Sequence, residues 1–285
     1  YTAQVGSGGL VPYWFVWGGD SRLAMCRCCG VFTVHVRGLA YFLERPALIR
    51  MMICPILFTL VSTVASLWIL IDTALEPQKN VLALRWHWPP WVVWPTVVLL
   101  ILTEVAVLNM VLFQVVFGFI QTKIFKSVLE ERGILPSLRE EKGDELAEVS
   151  CCSGLGLTIA FTLVRLPLMI MTLPLQGFPV AGQVAWCMLN GWLYTWEATA
   201  DFIAMYEDRR SCPTQLAFVK ERRLEYTFFG AVAMGLELIP FIGPWVFFAS
   251  NTCGAALLAE SFFMEKHRFV GGKWQLTDSY EKLKG

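Results

Sequence analysis

Glu237 lies three residues ahead of Pro240 in an otherwise apolar stretch, and it is the residue of this 285-residue chain most in need of a chemical explanation. Ionisable groups set into apolar segments are costly, so they mark a pathway, a relay or a specific pairing. The same reasoning selects Arg165, Glu197 and Asp201, and farther upstream Glu104, Asn109 and Gln114. Glu197 and Asp201 are four apart and share one helical face, with Tyr194 close by. Paired carboxylates of this kind hold a cation or relay protons, or else pair with Arg165, Arg209 or Arg210. Glu104, Asn109 and Gln114 recur at five-residue steps, which turn about 140° each on a helix, so they share no face. Interhelical hydrogen bonds are the plain reading of that trio, and a proton or ligand path is the other.

Gly177, Gly182 and Gly243 sit among prolines. A helix that starts just after such a residue presents free N–H groups and the positive end of its dipole, which suits an anion or a lipid headgroup. The simpler alternative is that glycine and proline merely allow the chain to turn. His35, His87 and His267 are far apart along the chain. The cysteine clusters at 26–29 and 151–152 lack the spacing of a four-ligand zinc site, and S-acylation beside a membrane helix is their more interesting reading. No fingerprint of a hydrolase, a P-loop or a metalloprotease is present, so catalysis and metal binding are not expected.

The elements that must carry these residues are membrane helices. Hydrophobic residues make up 56% of the chain and charged residues 16%, against about 25% charge in soluble domains. Net charge is zero, which gives no argument for nucleic acid. Residues 51–71 carry no charge, and at about 1.5 Å per residue they cross a bilayer core of about 30 Å. A polar loop over 72–90 ends in a tryptophan-rich belt. A second span from Trp91 to about Ile120 continues as an amphipathic helix through Glu131, ended by Gly133 and Pro136. Residues 130–148 read as a solvated connector. Two further segments, turning near Gly177–Gly182 and Pro240–Pro244, are short enough to read as helical hairpins with Pro/Gly tips. The fold expected is therefore all-α and integral to the membrane: two long transmembrane helices plus two hairpins, making four to six full or partial crossings. Three segments follow: 1–45 juxtamembrane, 46–265 the helical membrane domain, and 266–285 a polar tail. Ala200/Ala204 and Ser250/Gly254 have the small-residue spacing of close helix contacts.

Several short motifs, in this order, resemble the family of CysZ sulfate permeases and etoposide-induced autophagy-related proteins. They are Gly38-Leu39, Arg45-Pro46 and Pro55; then Leu166-Pro167 and Phe178-Pro179-Val180-Ala181-Gly182; then Phe229-Gly230-Ala231, Ile239-Pro240, Pro244 and Cys253-Gly254-Ala255. The resemblance covers about 37–265 and implies two long helices with two hairpin pairs that penetrate partly. For bacterial members it implies sulfate permeation, and for eukaryotic members no settled transport activity. The sequence departs from the bacterial pattern in its Trp-rich loop, polar tail and cysteine clusters, and Glu237 at a hairpin tip would repel an anion unless it is paired or protonated.

The expected function is that of a non-catalytic accessory subunit in a larger membrane assembly, with a homo-oligomeric sulfate permease as the alternative. Partners are membrane lipids and other membrane-protein subunits, or copies of the chain; no cofactor is expected beyond bound lipid. Lys and Arg concentrate in 20–50, 123–142, 207–225 and 265–273, which places both termini on the positive side of the membrane. The sequence starts at Tyr1 rather than methionine, so either a targeting segment was removed or further sequence lies upstream; the first fits import, and an organellar inner membrane is favoured over the endoplasmic reticulum.

Overall fold

The computed structural model describes residues 27–142, 161, 163–165, 167–178, 180–206, 211–239, 243–270 and 273–277. Helix α1 (Arg27–Leu43) is followed by α2 (Pro46–Asn80) and α3 (Pro90–Glu131), an antiparallel pair of long helices. Each opens on a proline at its first turn, where the missing N–H costs nothing. Gly133 closes α3 in the left-handed region, φ 72°, which a side chain would resist. Then come α4 (Ile134–Lys142), α5 (Leu163–Thr172), a 3-10 turn at Leu173–Gly177, α6 (Ala181–Tyr206), α7 (Cys212–Glu221) and α8 (Arg223–Glu237). A π-turn at Gly243–Phe247 leads into α9 (Phe248–Met264), and β1 (His267–Val270) pairs antiparallel with β2 (Lys273–Leu276).

The protein is an all-α integral membrane protein with a small β-hairpin at its C-terminal side. Among the described residues, three helical stretches are long and apolar enough to cross a membrane: Pro46–Arg85, Pro90–Asn109 and Gly243–Met264. Within their most apolar windows 11% and 22% of the first two are buried, against 78% of the third. The third therefore lies inside protein, wrapped chiefly by α1, α3 and α6, while the first two turn their apolar surface outward. Two expectations change here. Most of the stretch over 72–90 is not a loop: α2 runs on through Pro77 to Asn80, a π-turn carries the helix to Arg85, and the loop is confined to 86–89. A charged helix needs no apolar residues to stay helical when it leans on a neighbour, and Leu75 and Leu82 pack on the Val93, Val97 and Ile101 face of α3. Likewise Pro136 does not end a helix but sits in the first turn of α4, whose Ile134 and Leu138 are fully buried. The connector is thus partly core, and its remainder lies outside the described residues, as do Cys26 and Cys151–Cys152.

The core is closed by helix crossings at which backbones touch. A Cβ on Gly230 of α8 would fall 1.8 Å from the Gly191 carbonyl oxygen on α6. On α1, a Cβ at Gly38 would meet the Ser250 carbonyl at 2.6 Å and the Gly254 nitrogen at 2.7 Å, so the small-residue pair of α9 receives a glycine from α1. Where α1 hands over to α2, Arg45 donates from Nε to both Glu131 oxygens at 2.7 and 2.8 Å, and Tyr41 donates its hydroxyl to Glu131 Oε2. The Arg45 guanidinium stacks 3.4 Å over the Tyr41 ring. Burial by itself would raise the Glu131 carboxyl, but the hydrogen bonds from Arg45 and Tyr41 outweigh it and hold the group below its ordinary value of 4.5. A depressed folded-state value contributes stability that is whole above the unfolded value and lost as pH falls through the folded one. Thermal melts in detergent between about pH 5 and about pH 3 should therefore show a steeper loss for wild type than for Glu131→Gln, and parallel curves would refute the clasp.

Candidate functional site

One set of buried polar groups gathers where α1, α5, α6, α8 and α9 meet. Arg165 on α5 donates from Nη1 to Glu197 Oε2 on α6 at 2.8 Å, and both side chains are largely buried, 16% and 14% exposed. One turn earlier on α6, Tyr194 lies with its ring 5.5 Å from the Arg165 guanidinium carbon and donates its hydroxyl to Glu237 Oε1 on α8. The same oxygen accepts an N–H from Asn251 of α9 at 3.0 Å. The Asn251 amide also donates to the Ala233 carbonyl at 3.0 Å, which fixes its orientation and turns Oδ1 toward His35 Nδ1, 3.2 Å away. His35 Nε2 faces the Phe229 carbonyl at 3.1 Å, and the imidazole stacks on the Phe229 ring with centroids 4.3 Å apart. A continuous chain of contacts thus links Glu197, Arg165, Tyr194, Glu237, Asn251 and His35.

A cavity of about 40 Å³ opens against the middle of this chain, lined by Phe117, Gly118, Gln121, Arg165, Tyr194, Glu197, Glu237 and Phe248. That volume has room for a few water molecules. Its lining carries two carboxylates and one guanidinium, and the guanidinium is already committed to Glu197. The arrangement can store or pass a proton, or hold a small cation. It is poorly suited to a multivalent anion, because its one lining guanidinium is already paired. Among the described residues, no group of three or more His, Cys, Asp or Glu side chains gathers in a metal-binding arrangement.

The intramembrane polar residues expected from the sequence divide into separate places. Arg165, Glu197 and Glu237 come together as above. Asp201, one turn below Glu197, faces Lys126 of α3 at 3.8 Å instead. Asn109 accepts from Ser62 and Thr63 of α2, each at 3.1 Å, and Glu104 accepts from Gln78 at 2.8 Å; both tie the α2–α3 pair together. Gln114 lies on α3 between these places. Glu260, near the end of α9, faces Arg132 at 3.4 Å.

At the tips, the Gly182 amide donates to the Phe178 carbonyl and the Gly243 amide to the Ile239 carbonyl, at 3.0 and 2.8 Å. Both glycines are needed for close approach: a Cβ on Gly182 would lie 1.7 Å from the Leu175 oxygen, and one on Gly243 would lie 2.3 Å from the Glu237 oxygen. Gly177 is exposed, with open space where a Cβ would go. Between them Val180 adopts φ 61°, a strained backbone for a β-branched residue. His35 and Asn251 were not among the residues the sequence selected. They lie 216 positions apart, and the clue available was a histidine and an asparagine inside segments otherwise built to pack.

The polar chain sits in a two-hairpin bundle, and a family profile spans most of that region: the one described as Sulfate transporter CysZ/Etoposide-induced protein 2.4 matches residues 34–247. The chain belongs to this family. The match takes in α1 from its middle, the long α2–α3 pair, the first hairpin and the second as far as its π-turn. Five of the six chain members, His35, Arg165, Tyr194, Glu197 and Glu237, fall inside it, while Asn251 lies just beyond. No curated protein matches the chain.

Proposed function

We propose that this family member is a non-catalytic accessory or structural subunit of a larger membrane assembly rather than a self-sufficient permease. The observation that carries the reading is the outward face of the α2–α3 pair. Trp68, Leu84, Trp91 and Leu99 are each at least 65% exposed, and the pair touches the rest of the protein mainly at its base. Lipid covers such a surface in part, and the intramembrane faces of neighbouring subunits fit it equally well. An organellar inner membrane, with the basic segments on its matrix-like side, is the setting we favour.

Sulfate permeation is the second reading, and the family description favours it. Against it stands the cavity, whose one lining guanidinium is already paired with Glu197. Extraction of the source membrane in mild detergent, followed by native electrophoresis and mass spectrometry, separates the two. The subunit reading expects co-migration with other chains in fixed ratio and no sulfate flux from the purified chain in proteoliposomes. Sulfate flux from the purified chain, lost when Gly182 or Gly243 is made bulky, would overturn it.

A further inference from the structure

We propose that His35 and Glu237, bridged by Asn251, form a buried site that holds one proton. The argument starts from hydrogen-bond polarity. The Asn251 amide is oriented by the Ala233 carbonyl, an obligate acceptor, so Oδ1 must be the atom that faces His35 Nδ1. The other ring nitrogen faces the Phe229 carbonyl, also an acceptor. A neutral imidazole carries one N–H and can satisfy only one of the two, whereas the imidazolium satisfies both. At the far end of the bridge, Glu237 Oε1 collects donors from Tyr194 and Asn251, the pattern of a carboxylate. Protonated His35 with ionised Glu237 therefore fits every donor and acceptor along the bridge.

Charge leads to the same count by a different route. The groups facing Glu237 are Arg165 from α5, Tyr194 and Glu197 from α6, and Asn251 from α9; those facing His35 are Asn251 and the Phe229 carbonyl of α8. Arg165 and Glu197 cancel each other at 2.8 Å. The balance then rests on His35 and Glu237 alone. With no proton between them the core holds one uncompensated negative charge, and with two it holds one uncompensated positive charge; either is costly away from water. With one proton the charges sum to zero, whether the proton sits on the imidazole or on the carboxyl. Burial pulls the imidazole down, to about 4, against its two hydrogen bonds, which favours the carboxyl seat, while the acceptor geometry favours the ring. The two are microstates of one shared proton, and such a pair titrates as a unit. His35 is 4% exposed and Asn251 1%, so the histidine end is sealed, while Glu237 borders the cavity and is the end at which the proton exchanges. This inference stands on the interior alone and does not depend on the subunit reading.

The test counts protons on the full chain in lipid nanodiscs between about pH 5 and about pH 8. Histidine labelled with nitrogen-15 in the ring reports the charge state of His35, assigned by its loss in His35→Asn or by its magnetisation transfer to Asn251 if that variant does not fold. The infrared carboxyl band that disappears in Glu237→Gln, or that responds to glutamate labelling if that variant does not fold, reports Glu237. Imidazolium with carboxylate, or neutral imidazole with protonated carboxyl, means one shared proton and supports the proposal. Neutral imidazole together with an ionised carboxyl, or both groups protonated, overturns it.

Discussion

Gly230→Val should abolish recovery of folded, monodisperse protein from membranes, while Gly235→Ala, five residues along the same helix, should leave yield and melting temperature essentially unchanged. Around Gly235 nothing lies within 4 Å of an added Cβ, whereas at Gly230 the added carbon would overlap the backbone of Gly191. A flexible side chain could rotate away; a helical carbonyl cannot. Relief requires α6 and α8 to separate by an ångström or more along their contact. That would pull on the Thr195 hydroxyl, which donates to the Tyr226 carbonyl at 2.7 Å across the same crossing. Overpacking of ordinary cores costs about 1–3 kcal/mol, and a backbone-to-backbone overlap lies at or beyond the top of that range. Fluorescence-detected size exclusion of the two variants checks it, and a normal profile for Gly230→Val would show that the helices are not in contact there.

Arg165→Met should destabilise the protein by about 3–5 kcal/mol, the usual cost of stranding a buried charge. It removes the one guanidinium that faces Glu197 and Glu237 and leaves two carboxylates in one largely buried cluster. The double variant Arg165→Met with Glu197→Met should recover much of the loss, because a well-packed apolar pair often matches a buried ion pair. Chemical or thermal unfolding of the single and double variants measures this, and a double variant no more stable than the single one would mean that the arginine contributes through packing rather than charge.

Much of the architecture was legible in the sequence because length and polarity decide it. Residues 51–71 had to be a span, and α3 had to continue to Glu131, since Ile124, Phe125, Val128 and Leu129 recur on one face and are indeed buried. The Ser250/Gly254 spacing marked a close crossing without saying which helix would fill it. Residues 72–85 were not legible, because Asp72, Glu76, Pro77 and Lys79 carry loop composition, and only contact with α3 keeps them helical. Of the site, Arg165, Glu197 and Glu237 stood out as charges in apolar surroundings, which is a local signal. His35 and Asn251 did not stand out, because their meaning lies in a contact between the first and last helices of the bundle. The polar residues that the sequence singled out sit in several separate places: helices space their polar residues by local turns, but only tertiary packing decides which turns face one another.

The unequal lengths of the paired helices have a consequence for where the protein can reside. Helix α2 has 35 residues and α3 has 42, about 52 and 63 Å of helix, against a hydrocarbon core about 30 Å thick. Both are longer than that core is thick, so the pair leans or projects, by an amount set by its packing on the bundle, its tryptophan anchors and the thickness of the host membrane together. In a thin membrane the tryptophans at positions 86, 88, 91 and 94 ride far above the headgroups or lie down among them; in a thick one they are drawn toward the headgroup layer. The hairpin is in effect a gauge of membrane thickness, and moving the protein between lipids of different chain length should change how far its tip reaches.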